Sequence, residues 1–110
     1  MGDRGNVVFK YTDGNKVYFY THWSGSSLKQ TVQDALKRGK ERWDDESYLA
    51  RIVFSEMIKD EIMDLTGYGI APYEMDMGEL VKVDTKLKTV NGISFESFIE
   101  MRFPEDNDYA

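Results

Sequence analysis

The sequence contains no cysteine, which excludes disulfides, thiolate metal sites and a cysteine nucleophile. That absence suits a reducing cytoplasm, the compartment expected here. Histidine occurs once, at His22, so zinc would need three carboxylates, an uncommon structural set, and no metal or other cofactor is expected. The longest apolar runs are a few residues, far short of the ~20 needed to span a bilayer. The opening Met1-Gly2-Asp3-Arg4-Gly5-Asn6 has no apolar stretch of the signal-peptide kind, and a soluble chain with no membrane contact is expected. Positive charge is in deficit: 14 Lys and Arg face 20 Asp and Glu, for a net charge of −6. A duplex-binding protein neutralises several phosphates from a basic face, so duplex nucleic acid is excluded as a partner. One small anionic ligand is not, because local charge decides that, and Lys37-Arg38-Gly39-Lys40-Glu41-Arg42 is a dense basic cluster. Missing too are a Walker loop, a dinucleotide-binding glycine loop and a Gly-x-Ser-x-Gly nucleophile elbow.

The chain does hold apolar and aromatic residues, 41% and 14% of its 110 positions. That is enough for one core without staples. One α+β domain is expected over 1–103, followed by an acidic tail at 104–110. Asn6–Tyr11 and Lys16–Thr21 are β-prone runs separated by Thr12-Asp13-Gly14-Asn15, a strong hairpin signal because glycine tolerates a positive φ. In the second run Val17 and Phe19 share one face and Tyr18 and Tyr20 the other, so both faces are expected to be covered, at least in part. Ser26 or Ser27 is positioned to cap a helix running to Arg38, with Gly39 ending it and Leu28, Val32, Ala35 and Leu36 as its apolar stripe. Asp44 or Asp45 starts a second helix to about Leu65. Its circumference is apolar almost all round, which predicts deep burial or an oligomer interface, most simply a two-fold homodimer. Thr66-Gly67-Tyr68-Gly69 breaks it.

Ile70–Met75 reads as a weak strand that Pro72 pushes toward a sheet edge, and 80–84 with 87–90 as a second hairpin. Over 93–103 alternation competes with a helical face; Asn91-Gly92 and a capping Ser94 favour a helix. The expectation is an antiparallel sheet of about five strands, in ββααβββα order, packed against two main helices.

Chemistry concentrates in the segments between these elements. His22 and Trp23 stand where a strand passes into the loop Ser24-Gly25-Ser26-Ser27, ahead of a helix start. Histidine can change charge near neutral pH, indole offers a stacking surface, and helix-start N–H groups attract anions. The plainer reading has Trp23 covering the core edge, His22 bonded to a carbonyl and the serines merely capping the helix. Arg4 offers a planar fork suited to phosphate or carboxylate, or an internal partner for Asp3, Asp44 or Asp45. Arg42 joins the helices, and Arg51 extends a polar strip beside Tyr48 and Ser55. With Tyr68, these make the candidate ligand-binding set Arg4, His22, Trp23, Arg42, Arg51 and Tyr68, with no catalytic residue assigned. Glu56 falls within an apolar sector, where a carboxylate needs a partner. It is read as a buried structural ion pair, with Arg4 or Arg51 as counter-ion, or as a general base with His22.

Taken together, Gly2-Asp3-Arg4-Gly5-Asn6, Tyr20-Thr21-His22-Trp23-Ser24-Gly25, Arg42-Trp43-Asp44-Asp45, Tyr48-Leu49-Ala50-Arg51-Ile52, Glu56-Met57 and Thr66-Gly67-Tyr68-Gly69-Ile70 resemble a group of small bacterial, phage and haloarchaeal proteins. These open with Gly-Asp-Arg-x-Asn and carry Tyr-x-His-Trp-x-Gly after a first hairpin. The likeness covers about the first seventy positions. It departs at Ala71-Pro72-Tyr73-Glu74-Met75-Asp76, where such chains often read Gly-Asp-Asn. The group carries no activity to transfer; its phage members imply, by analogy alone, an accessory or anti-defence role. Three functions follow. The first is a non-enzymatic binder of a small anionic ligand such as a nucleotide. The second is an interaction module that inhibits or adapts a partner such as a host protein, and the third a small hydrolase using His22 and Glu56.

Overall fold

The computed structural model describes residues 3–103; the expected tail at 104–110 lies outside them. Strands β1 (Gly5–Lys10) and β2 (Lys16–Thr21) form the expected hairpin, antiparallel from Gly5 opposite Thr21 to Lys10 opposite Lys16. Its turn is held by the Asp13 carboxylate, which accepts from the Asn15 N–H at 2.9 Å, and by Gly14 at φ 92°. That left-handed conformation costs glycine nothing.

The chain then enters α1 (Leu28–Arg38) through a single 3-10 turn, Gly25–Ser27. The expected apolar stripe is the buried one: Leu28, Val32, Ala35 and Leu36 are all within 1% of complete burial. Ser27 occupies the cap position without a side-chain capping bond. The entry is anchored instead by Asp3, whose carboxylate accepts from the Ser26 N–H at 2.9 Å. Gly39 closes α1 with its N–H on the Ala35 carbonyl. Helix α2 (Glu46–Ile58) starts at Asp45, which accepts from the Tyr48 N–H. It stops at Ile58 and does not reach Leu65. Beyond that point Ile62, Met63 and Leu65 are 66%, 85% and 99% exposed, so no packing holds further helical turns, and packing is what sustains most helices. The apolar girth of α2 is largely used within the chain. Leu49, Ala50, Val53 and Met57 are buried, and Ile52, Phe54 and Ile58 pack partly buried against the same core.

The remaining elements are β3 (Tyr68–Ala71), β4 (Glu79–Asp84), β5 (Thr89–Val90), β6 (Ile93–Ser94) and the one-turn helix α3 (Phe95–Phe98). The α+β class stands, but the sheet is mixed and six-stranded, not antiparallel with five. Its spatial order is β3-β2-β1-β4-β5-β6 and its chain order ββααββββα. The parallel pair is β1 with β4, from Gly5 opposite Glu79 to Lys10 opposite Asp84. It arises because segment 72–78 carries the chain back across the sheet, so that β4 enters at the same end as β1. The weak strand ends at Ala71, just before Pro72, and lies at the sheet edge. The later hairpin narrows to Thr89–Val90 because Asp84 accepts from the N–H groups of Lys86 and Leu87 and builds the turn from them. In 93–103 the strand and the helix follow each other, with Ser94 capping by accepting from the Ser97 N–H at 3.2 Å.

Both main helices lie on one face of the sheet. Val7, Phe9, Phe19, Val81 and Val83 point toward them and form the core with Leu28, Val32, Leu36, Leu49, Val53, Phe95 and Phe98. Polar side chains, Gln33 and Thr85 among them buried, stitch the layers. Gln33 donates to the carbonyls of Phe98 and Met101, and Glu46 accepts from the Thr12 N–H and from the Thr85 hydroxyl. Among the described residues no helix is long and apolar enough to cross a membrane.

Candidate functional site

Strand alternation sends every second side chain to the face that carries no helix. Along β2 and just beyond it these are Lys16, Tyr18, Tyr20 and His22; along β1, Asn6, Val8 and Lys10; along β4, Leu80 and Lys82. Most of the polar chemistry of the sheet therefore shares one surface.

At one end of this face a hydrogen-bonded row has formed. The Tyr20 hydroxyl donates to Asp76 Oδ2 at 3.0 Å and lies 2.8 Å from His22 Nδ1. A hydroxyl has one proton to give. With that proton on Asp76, Nδ1 of His22 is the donor to Tyr20, and a neutral His22 presents an unprotonated Nε2. Burial and the Asp76 carboxylate both push the Tyr20 phenol above its ordinary pKa, which keeps it a donor. Asp76 reaches this position with φ 50°, a left-handed conformation that aspartate tolerates better than most residues. Arg4 Nε lies 3.9 Å from the same carboxylate. Segment 72–78 is tied down here by the fully buried Asn6, whose amide donates to the Met75 carbonyl at 2.7 Å and accepts from the Met75 N–H at 3.2 Å.

The row continues through rings. His22 meets Trp23 edge-on at 5.9 Å between centroids, and Trp23 meets Tyr68 edge-on at 6.1 Å. The Tyr68 hydroxyl donates to Glu61 at 2.6 Å. Burial and that bond both raise its pKa. Trp23 is 46% exposed, with its indole laid over Gly67. A Cβ at Gly67 would overlap the Trp23 ring, and its φ of 98° is itself left-handed. Glycine at 67 is what lets the indole lie flat against the chain.

Four of the six expected ligand residues, Arg4, His22, Trp23 and Tyr68, therefore fall along one row. Arg42 and Arg51 do not. Arg42 lies over the Tyr48 ring at 5.0 Å, at the junction of α1 and α2, and Arg51 is exposed on α2. Glu56 pairs with neither Arg4 nor Arg51. It accepts from Arg38 Nε at 3.0 Å and from Lys59 Nζ at 2.8 Å. Burial pushes its pKa up, but the hydrogen bonds and charges of Lys59 and Arg38 outweigh this and hold it below the ordinary carboxylate value. It is a structural ion pair, occupied on both oxygens. Among the described residues no group of three His, Asp or Glu is arranged to hold a metal ion.

The other end of the open face holds what sequence reading missed. Lys10, Lys16 and Lys82 surround a hollow of about 400 Å³ floored by Val8, Tyr18 and Leu80, with Asp84 at its margin. Lys10 and Lys16 are directly opposite each other across β1 and β2, a like-charge pairing that costs stability. Among the described residues none of the three lysines makes an ion pair. The signal was present in part: Lys10 and Lys16 flank the hairpin turn symmetrically. Lys82 joins them only through the parallel β1–β4 register. No family model, curated protein or solved structure matches the chain.

Proposed function

We propose that the protein is a non-enzymatic binder of a small anionic ligand carrying a planar ring, a nucleotide being the simplest case, and that the ligand lies on the open face of the sheet. The observation that carries this is the cluster of three lysines, without an ion pair among the described residues, around a concave apolar floor in a chain whose net charge is −6. A like-charge cluster costs free energy that a bound anion returns. Lys10, Lys16 and Lys82 contact phosphate, while Tyr18 offers a ring edge or face to a base. Arg4 and His22 stand at the far end of the same face, where His22 Nε2 can accept a hydrogen bond from an extended ligand. The acidic neighbours of that end, Asp76 and Glu61, are why the anion belongs to the lysine end.

The test is thermal unfolding against AMP, ADP, ATP, pyrophosphate and phosphate. A ligand present at a hundred times its dissociation constant adds about 2.7 kcal/mol, a rise in Tm that Lys82→Gln and Lys16→Gln diminish and added salt weakens. No shift with any of these anions, or the same shift in both lysine variants, rejects the proposal.

A further inference from the structure

We infer that the outer edge of β3, together with segment 59–66 leading into it, is a docking surface for an extended, basic and apolar segment of a partner protein. Strand β3 ends the spatial order of the sheet. Its neighbour β2 is antiparallel, and the His22 N–H donates to the Gly67 carbonyl at 2.9 Å. In an antiparallel ladder, hydrogen-bonded and non-bonded pairs alternate. The Gly69 and Ala71 backbones therefore face β2, and those of Tyr68 and Ile70 face outward. An outward row of N–H and C=O groups is a template for another strand, which proteins ordinarily blunt with lysine or a covering loop. No lysine stands in β3 itself, which reads Tyr-Gly-Ile-Ala and leaves Ile70 exposed.

Apolar exposure gathers at the same place. Of the ten large apolar side chains exposed among the described residues, four lie in the stretch from 62 to 70 that leads into and forms β3: Ile62, Met63, Leu65 and Ile70. Such clustering marks interaction surfaces, whereas scattered exposed residues do not. Charge selects the occupant. Asp60, Asp64 and Glu74 punctuate this region, and among the described residues they make no ion pair. A second copy of the chain would bring the same carboxylates and another net −6. A strand that alternates basic and apolar residues satisfies the backbone, the apolar groups and the carboxylates together.

The probe is a synthetic octapeptide of alternating lysine and valine, titrated into the full-length protein while amide resonances are followed. Its control replaces each lysine with glutamate. Saturable shifts at Tyr68 and Ile70 with the lysine peptide alone are expected. Asp60→Lys with Asp64→Lys should weaken binding by about tenfold, the scale of two exposed ion pairs. Leu65→Ser, at a fully exposed position that folding tolerates, should weaken it independently of charge. Lys82→Gln should leave it unchanged. Equal binding of both peptides, no saturable shift at β3, or shifts at Ile70 that grow with protein concentration alone would each overturn the inference, the last by revealing a second copy.

Discussion

Glu56 shows how a single side chain can look catalytic in a sequence and structural in a fold. Its place in an apolar sector was legible from helical spacing alone. Its partners were not, because Arg38 lies on another helix and the α1–α2 packing decides which cation arrives. The pH dependence follows from the sign of its shift. The folded-state pKa is lowered, so the ion pair stabilises the protein fully above the unfolded-state value. That contribution disappears as pH falls through the lowered folded value. Glu56→Gln should therefore cost about 1–2 kcal/mol at pH 7, discounted for the exposure of Arg38 and Lys59. The difference from wild type should shrink across the acid range. Urea unfolding at pH 7 and near pH 3 measures this; an undiminished difference at low pH would mean that packing, not charge, is what the substitution removes.

At the level of elements, legibility followed the range of the interactions. The β1–β2 turn was readable because Asp13 and Gly14 act on neighbours two residues away, and the buried stripe of α1 because helical periodicity is local. The parallel partnership of β1 with β4 was not, since it depends on where segment 72–78 lays the chain down after β3. The same gap hid the proposed binding face: Lys10 and Lys16 are close in sequence, but Lys82 joins them only through that register. Arg42 and Arg51 failed to converge on His22 for a related reason, as they sit on the helical layer while His22 extends the opposite face of the sheet. Asn6 is the fastening on which this arrangement turns. It is fully buried, and its amide holds both backbone groups of Met75. Asn6→Ala should cost about 2–3 kcal/mol, because two hydrogen bonds vanish and the Met75 groups lose their partner. The Met75 amide should then exchange with solvent much faster, while amides in the β1–β2 hairpin slow or quicken only with global stability. Uniform acceleration everywhere would show that the crossover has no independent fastening.

For the molecule as a whole, β1 is the decisive strand, because it is the single link between the β3–β2 side and the β4–β5–β6 side. The helices reinforce that link, since α1 and α2 pack on side chains from both sides at once: Phe19 from β2, Val81 and Val83 from β4. Neither half can keep an apolar face covered after the other departs. The two tryptophans report on opposite sides of this divide. Trp23 stands against Tyr68 of β3, and Trp43 packs edge-on to Phe95 of α3 at 5.3 Å while donating to the Leu36 carbonyl. Unfolding in urea, followed in Trp23→Phe and Trp43→Phe so that each variant carries one indole, should give a fluorescence midpoint that matches far-UV circular dichroism for the same variant. The slopes should agree as well, within the range of about 1–3 kcal/mol per molar urea usual for a chain of this size. If the Trp23 signal moved at lower urea than the circular dichroism, the β3 edge would be opening by itself. The strand proposed to receive a partner would then also be the one least firmly held without it.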